Sequence, residues 1–192
     1  MPLGRQQVLA LTANIEGIVP KSVLNTILLP FLRGESEPKA IPSAYWITYL
    51  FSVLAEHGYG EEVVAYIKKR WLPMAEHGTT WEGFTPLRGA ESHSHAWSAH
   101  PLFHLMQLVG GITQRSPAWK AINFKPVFIG TRNRTVIPSP HGPITGTWHR
   151  KGAKIFVEIK LPKKTKAHVN LPGMKPVVVT EHAKWVITES SI

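Results

Sequence analysis

Apolar residues recur at helical spacing from about Arg5 to Ile112, and in short alternating or unbroken runs after that. A first helix is predicted from Arg5 to about Ile18, stopped around Gly17 and Pro20. Pro20 then suits the opening turn of a second helix, where its missing N–H costs nothing. That helix runs to about Arg33 with Val23, Leu24, Ile27, Leu28 and Phe31 at helical spacing, and Pro30 is expected to bend or shorten it. Ser43 is placed to cap a third helix over 44–57, with Gly58 as its stop. Tyr45, Ile47, Tyr49, Leu50, Val53 and Leu54 leave that helix little polar face, so deep packing is expected. A fourth helix begins near Glu61 and Glu62, whose charges suit a helix N-terminus, and ends before Pro73 or, after a kink, near Gly78. A fifth spans about Trp97 to Val109 and is ended by Gly110 and Gly111.

Beyond residue 113 the texture changes. Strands are predicted over 124–129, 135–137, 144–149, 154–161, 166–171, 177–181 and 185–188, separated by Pro and Gly. Residues 150–153 form a hairpin turn, and Ile155, Val157 and Ile159 alternate with Phe156, Glu158 and Lys160 as in a sandwich strand. The fold class expected is α+β in two domains: helices over 1–113, then a small antiparallel β-sandwich over 114–192. About five helices with broad apolar faces look like part of a larger helical barrel.

Composition narrows the chemistry. The chain has 192 residues and 43% hydrophobic content, enough to build a real core. It has no Cys, and all twelve acidic residues are Glu. Thiolate chemistry, Ser-His-Asp triads and Asp-based metal clusters are therefore excluded, and acid–base work falls to Glu or His. The formal charge of +10 comes from dispersed Lys and Arg, with small clusters at 68–70, 150–151 and 163–164. Such clusters read as solvated faces, so nucleic acid is not expected as a partner. No run approaches the roughly 18 apolar residues of a membrane span, so no membrane partner is expected either. Residues 1–7 lack a signal-peptide layout and read as the middle of a protein; the default expectation is cytoplasmic.

Two segments could carry chemistry. Gly78-Thr79-Thr80-Trp81-Glu82-Gly83-Phe84 places a carboxylate beside an indole just past a helix stop. Loops at helix ends are common places for sites. Trp81 would lower the local dielectric around Glu82 and offer an aromatic surface to a sugar. Equally, Glu82 could cap a neighbouring backbone N–H. Ser92-His93-Ser94-His95-Ala96-Trp97-Ser98-Ala99-His100 is the second segment. The two-residue spacing of His93 and His95 splits them between sides of a helix and no Cys or Asp joins them, so neither metal nor cofactor is expected. Hydroxyls, imidazoles and an indole there suit hydrogen bonding to a polyol, while His93, His100 and His104 read individually as caps or packed rings. Glu91 is a second nearby carboxylate, so a Glu82/Glu91 acid–base pair is open in principle.

Gly78-Thr79-Thr80-Trp81-Glu82, Ser92-His93-Ser94-His95-Ala96-Trp97-Ser98-Ala99, Pro101-Leu102-Phe103 and Gly110-Gly111-Ile112 together resemble the C-terminal part of the α-L-rhamnosidases, glycoside hydrolase family 78. The tail agrees: Pro126, residues 138–144, Trp148, Leu161-Pro162 and Leu171-Pro172-Gly173. The resemblance covers about Gln6 to Thr188. It implies an (α/α)6 barrel followed by a β-sandwich, and an inverting mechanism with two carboxyls roughly 6.5–9.5 Å apart. By motif match Glu82 is the general base and His95 a sugar contact, and Trp81 and Trp97 are expected to bind the substrate with them. The family's general acid lies upstream of the matched region, so Glu91 does not take that role and the chain is expected to be inactive alone. A rhamnose-containing glycoside and the missing N-terminal part of the barrel are the partners implied. Two alternatives remain: a non-catalytic carbohydrate-binding module, and part of another (α/α)6 glycosidase or a lyase acting on acidic polysaccharide, which the positive charge would favour.

Overall fold

The computed structural model describes residues 21–36, 41–84 and 92–188. The helix predicted over 5–18 and Glu91 lie outside them. The chain is α+β and divides into two compact units, one ending at His104 and the other starting at Leu105.

The helical unit opens with α1 (Lys21–Val23), a π turn over Leu24–Leu28 and α2 (Leu29–Arg33). The disturbance expected from Pro30 takes the form of this π turn. Pro30 has no N–H and its ring would press on the carbonyl four residues back. The widened turn just before it closes with Leu29 N–H donating to Leu24 O. Gly34, at φ 74°, ends α2. Ser43 Oγ accepts from Trp46 N–H at 3.1 Å, so the predicted cap is present. A single irregular turn follows, and α3 (Ile47–Glu56) starts three residues later than the pattern suggests. Its Ile47, Leu50, Phe51, Val53 and Leu54 are wholly buried.

His57, Gly58 and Tyr59 join α3 to α4 (Gly60–His77), which continues past Pro73 and stops at Gly78, φ 95°. The fifth predicted helix is broken. A 3₁₀ turn over Ala96–Ala99 precedes α5 (Pro101–Leu108), with Pro101 opening the α segment because it cannot donate within a continuous one. Phe51 is the hub of this unit. Its ring lies 5.9 Å from Tyr66, 6.1 Å from Trp71, 5.8 Å from His100 and 5.3 Å from His104.

The second unit contains two four-stranded sheets. One has the order β1 (Ile112–Gln114), β2 (Ala121–Phe124), β6 (Lys166–Val169), β7 (Val177–Val179). The other has β3 (Arg132–Ile137), β4 (Ile144–Lys151), β5 (Lys154–Lys160), β8 (Ala183–Thr188). The sheets share one core: Ile112, Ile122, Phe124 and Val169 come from the first, and Trp148, Ile155, Val157 and Ile159 from the second. The β4–β5 hairpin turns at Gly152, φ 60°, with Lys151 opposite Lys154, as the sequence predicts.

The expectation of a purely antiparallel sandwich needs correction, because β2 and β6 pair parallel. The chain leaves the first sheet after β2, builds β3 to β5 in the other sheet, and returns beside β2 in the same direction. Such a crossover joins parallel neighbours as a hairpin cannot.

Two glycines admit no side chain. A Cβ on Gly110 would lie 2.5 Å from Thr135 Oγ1, and one on Gly111, at φ 71°, would lie 2.3 Å from Pro126 N. Trp148 is fixed at the rim of the same core by donating Nε1–H to Val109 O at 2.9 Å.

Candidate active site

The two segments singled out by sequence meet. Glu82 N–H donates to Ser92 O at 3.0 Å, and His95 N–H donates to Thr80 O at 2.8 Å. Thr80 Oγ1 donates to His95 O at 2.8 Å, and Thr79 Oγ1 donates to His93 O. The consecutive threonines after the Gly78 stop therefore hold the histidine segment by its backbone carbonyls. Their side-chain role had no signal in local spacing.

Glu82 sits at the end of this ladder. Its Oε2 accepts from Ser92 N–H at 3.0 Å, so the capping role is present. Its other oxygen has no partner among the described residues. The carboxylate is exposed, which differs from the low-dielectric setting that Trp81 was expected to impose. The Trp81 indole instead turns inward: it is 7% exposed, packs edge-on to His77 at 5.4 Å, and its backbone N–H contacts Met74 Sδ at 3.4 Å. Trp81 Nε1 is buried with no hydrogen-bond partner among the described residues.

His95 stands at the entrance of the 3₁₀ turn with extended backbone, φ −111°, ψ 104°. Its ring meets Trp97 edge-on at 5.9 Å. Trp97 is 65% exposed, and its indole lies 5.0 Å from the Tyr45 ring, which itself contacts Trp46 and Tyr49. The site thus has an aromatic shelf of Trp97 and Tyr45 beside an imidazole. In the sequence Tyr45 reads only as a packed residue of the third helix, not as part of the site. It comes from before α3, and only tertiary packing brings it here.

His100 and His104 are packed rings, as expected. His100 Nε2 bonds Ala44 O at 2.6 Å, and His104 Nε2 bonds Thr48 Oγ1 at 2.8 Å. Burial pushes the His104 imidazole down to about 4, and His100 beside it adds to the shift. Burial also lowers His100, against the bond to Ala44 O. Both are neutral at pH 7 and serve as polar parts of the core. Their backing continues through Trp71, whose Nε1–H donates to Ser98 O at 2.8 Å and ties α4 to the histidine segment.

A separate hollow of about 290 Å³ in the helical unit is lined in part by Phe31, Tyr66, Lys69 and Arg70. The Arg70 guanidinium lies 5.6 Å from the Tyr66 ring centre and 5.3 Å from that of Phe84.

Chemically, the ladder can present one oriented carboxylate with a free oxygen on one segment, and on the other an imidazole and an exposed indole. That set suits deprotonation of water and the gripping of a polyol.

Residues 111–185 match the family described as "Bacterial alpha-L-rhamnosidase C-terminal domain". The fold of the chain is found in solved α-L-rhamnosidases. That from Dictyoglumus thermophilum matches with TM-score 0.80 and 18% identity over 95% of this chain and 25% of its own. That from Aspergillus terreus gives 0.79 and 18% over 95% and 24%. The Streptomyces avermitilis α-L-rhamnosidase complexed with L-rhamnose gives 0.76 and 15% over 95% and 21%. The chain therefore resembles the C-terminal region of these proteins and spans a quarter of their length or less. No curated protein matches the sequence.

Proposed function

We propose that this chain is the C-terminal part of an inverting α-L-rhamnosidase, acting on terminal α-L-rhamnosides of a glycoside or polysaccharide. Residues 1–113 are the closing portion of an (α/α)6 barrel and residues 114–192 the β-sandwich that follows it in sequence. Glu82 is the general base. It takes a proton from the water that attacks the anomeric carbon, as the bond to the leaving oxygen breaks. The proton for that oxygen comes from an acid on the upstream part of the barrel, so this chain alone does not turn over. His95 and Trp97 contact the sugar, and Trp81 anchors the loop that carries Glu82.

The observation that carries this reading is the ladder between residues 79–82 and 92–95, which brings Glu82 and His95 into one short pairing beside Trp97. The exposed apolar side chains Trp97, Leu102 and Phe103, at 65%, 66% and 50%, fit a unit that is covered when the barrel is complete.

The test is release of aryl alcohol from an aryl α-L-rhamnoside. The isolated chain should release none, and the same chain joined to or mixed with the rest of the barrel should release it. Robust turnover by the isolated chain, abolished by Glu82→Gln, would refute the division of acid and base between parts.

A further inference from the structure

The outer face of the first sheet holds a group of side chains that the glycosidase reading does not use. Thr113, Asn123, His168 and Val178 are successive register partners across β1, β2, β6 and β7. Their neighbours Ile122, Phe124, Ala167 and Val169 fill the core, so the alternating pleat turns this row outward. A hollow of about 300 Å³ opens on that face, and Arg115, Asn123, Lys125, His168, Val177 and Val178 line it.

One side of the hollow is polar and basic. Arg115 Nη1 donates to Asn123 Oδ1 at 3.1 Å, and Asn123 Nδ2 donates to Thr113 Oγ1 at 3.2 Å. This relay fixes the guanidinium by one nitrogen, and its remaining N–H groups have no partner among the described residues. Among the described residues, no carboxylate lines the hollow. The His168 imidazole is held below its ordinary range by desolvation, and further by the positive charges of Arg115 and Lys166. The other side is apolar: Val177 and Val178 are 40% and 52% exposed.

We infer that this hollow binds an acidic saccharide, with a uronate carboxylate on Arg115 and Lys125 and the sugar's C–H face on Val177 and Val178. A pre-set guanidinium matches a carboxylate in geometry as well as charge. A bare inorganic anion would leave the valines uncovered, and a neutral sugar would leave the cations unanswered. The choice of a saccharide rests on the glycosidase reading above; the anionic group and the apolar wall do not.

The experiment titrates the full chain with trigalacturonate, with a neutral trigalactoside, and with a tetraglutamate peptide. Calorimetry gives affinity, and amide shifts at residues 113–125 and 166–178 locate it. Trigalacturonate should bind, with the neutral trisaccharide weaker by about tenfold or more, as loss of a charge-assisted pair implies. Arg115→Gln, and separately the exposed Lys125→Gln, should each weaken it by at least about fivefold with the fold intact by circular dichroism. Equal binding of the neutral trisaccharide, preference for tetraglutamate, indifference to both substitutions, or no binding up to about 10 mM would each overturn the inference. None of these outcomes bears on Glu82, because the titration reads no turnover.

Discussion

The helical unit and the β unit handle buried polarity differently. In the helical unit Trp46 Nε1, Trp81 Nε1, Ser98 Oγ and His100 Nδ1 are buried without a partner among the described residues. In the β unit only His141 Nε2 and Thr165 Oγ1 are in that position. Each unpaired buried group costs about 1–3 kcal/mol. The exposed apolar side chains differ in kind as well. They include Trp97, Leu102 and Phe103 in the helical unit, against the smaller valines Val136, Val177, Val178 and Val186 in the β unit. A unit that closes on itself satisfies its donors and hides its large side chains, as the sandwich does. The helical unit carries the candidate site and retains unpaired buried groups and exposed aromatics, of which Trp81 and Trp97 belong to the site segments.

The largest effect expected is in the better-closed unit. Trp148→Ala removes a 1% exposed indole from the shared core and leaves Val109 O without its donor. It should cost about 3–5 kcal/mol, read as lost hydrogen-exchange protection at the β5 amides. The contrast between units would break if α3 amides lost protection equally.

Acid should strike the helical unit harder. His104 has a folded value of about 4 against an ordinary 6.5, so between these values the unfolded state binds the additional proton. Stability from this group is whole above pH 6.5 and is lost as pH falls toward 4, by at most about 3 kcal/mol. In the β unit, burial pushes Glu158 up, but His182, Lys160 and Lys184 outweigh it and leave the carboxyl below its ordinary range. Its contribution is whole down to the ordinary value of 4.5 and falls only below it, so it outlasts most of the window in which His104 titrates. Protection of α3 amides should therefore fall between pH 6.5 and 4 before that of β5 amides. His104→Gln should flatten the difference.

The smallest effect sharpens the sequence-level reading. Ser43→Ala removes the acceptor for Trp46 N–H and should cost about 1 kcal/mol, seen as fraying at the start of α3.

What could be seen in the sequence was local. The Ser43 cap, the Gly58 and Gly78 stops and the turn at Gly152 each act within a few residues. Elements that answer to distant partners were hidden. Strand β1 is only three residues long, and its pairing with β2 defines it. The parallel β2–β6 pair spans the whole excursion through the second sheet. At the site, Glu82 and His95 were visible as residue types, whereas the Ser92 amide that holds the carboxylate and the Tyr45 ring under Trp97 were not. Backbone donors have no sequence signature, and Tyr45 belongs to another element.

The most direct test of the central claim is turnover of an aryl α-L-rhamnoside by this chain completed with the upstream part of the barrel, with Glu82 intact and as Glu82→Gln. The completed protein should release rhamnose, and the substitution should lower kcat by about 10²–10⁴-fold while rhamnose binding persists. A correctly folded complex in which Glu82→Gln leaves kcat unchanged would contradict the assignment of Glu82 as the base.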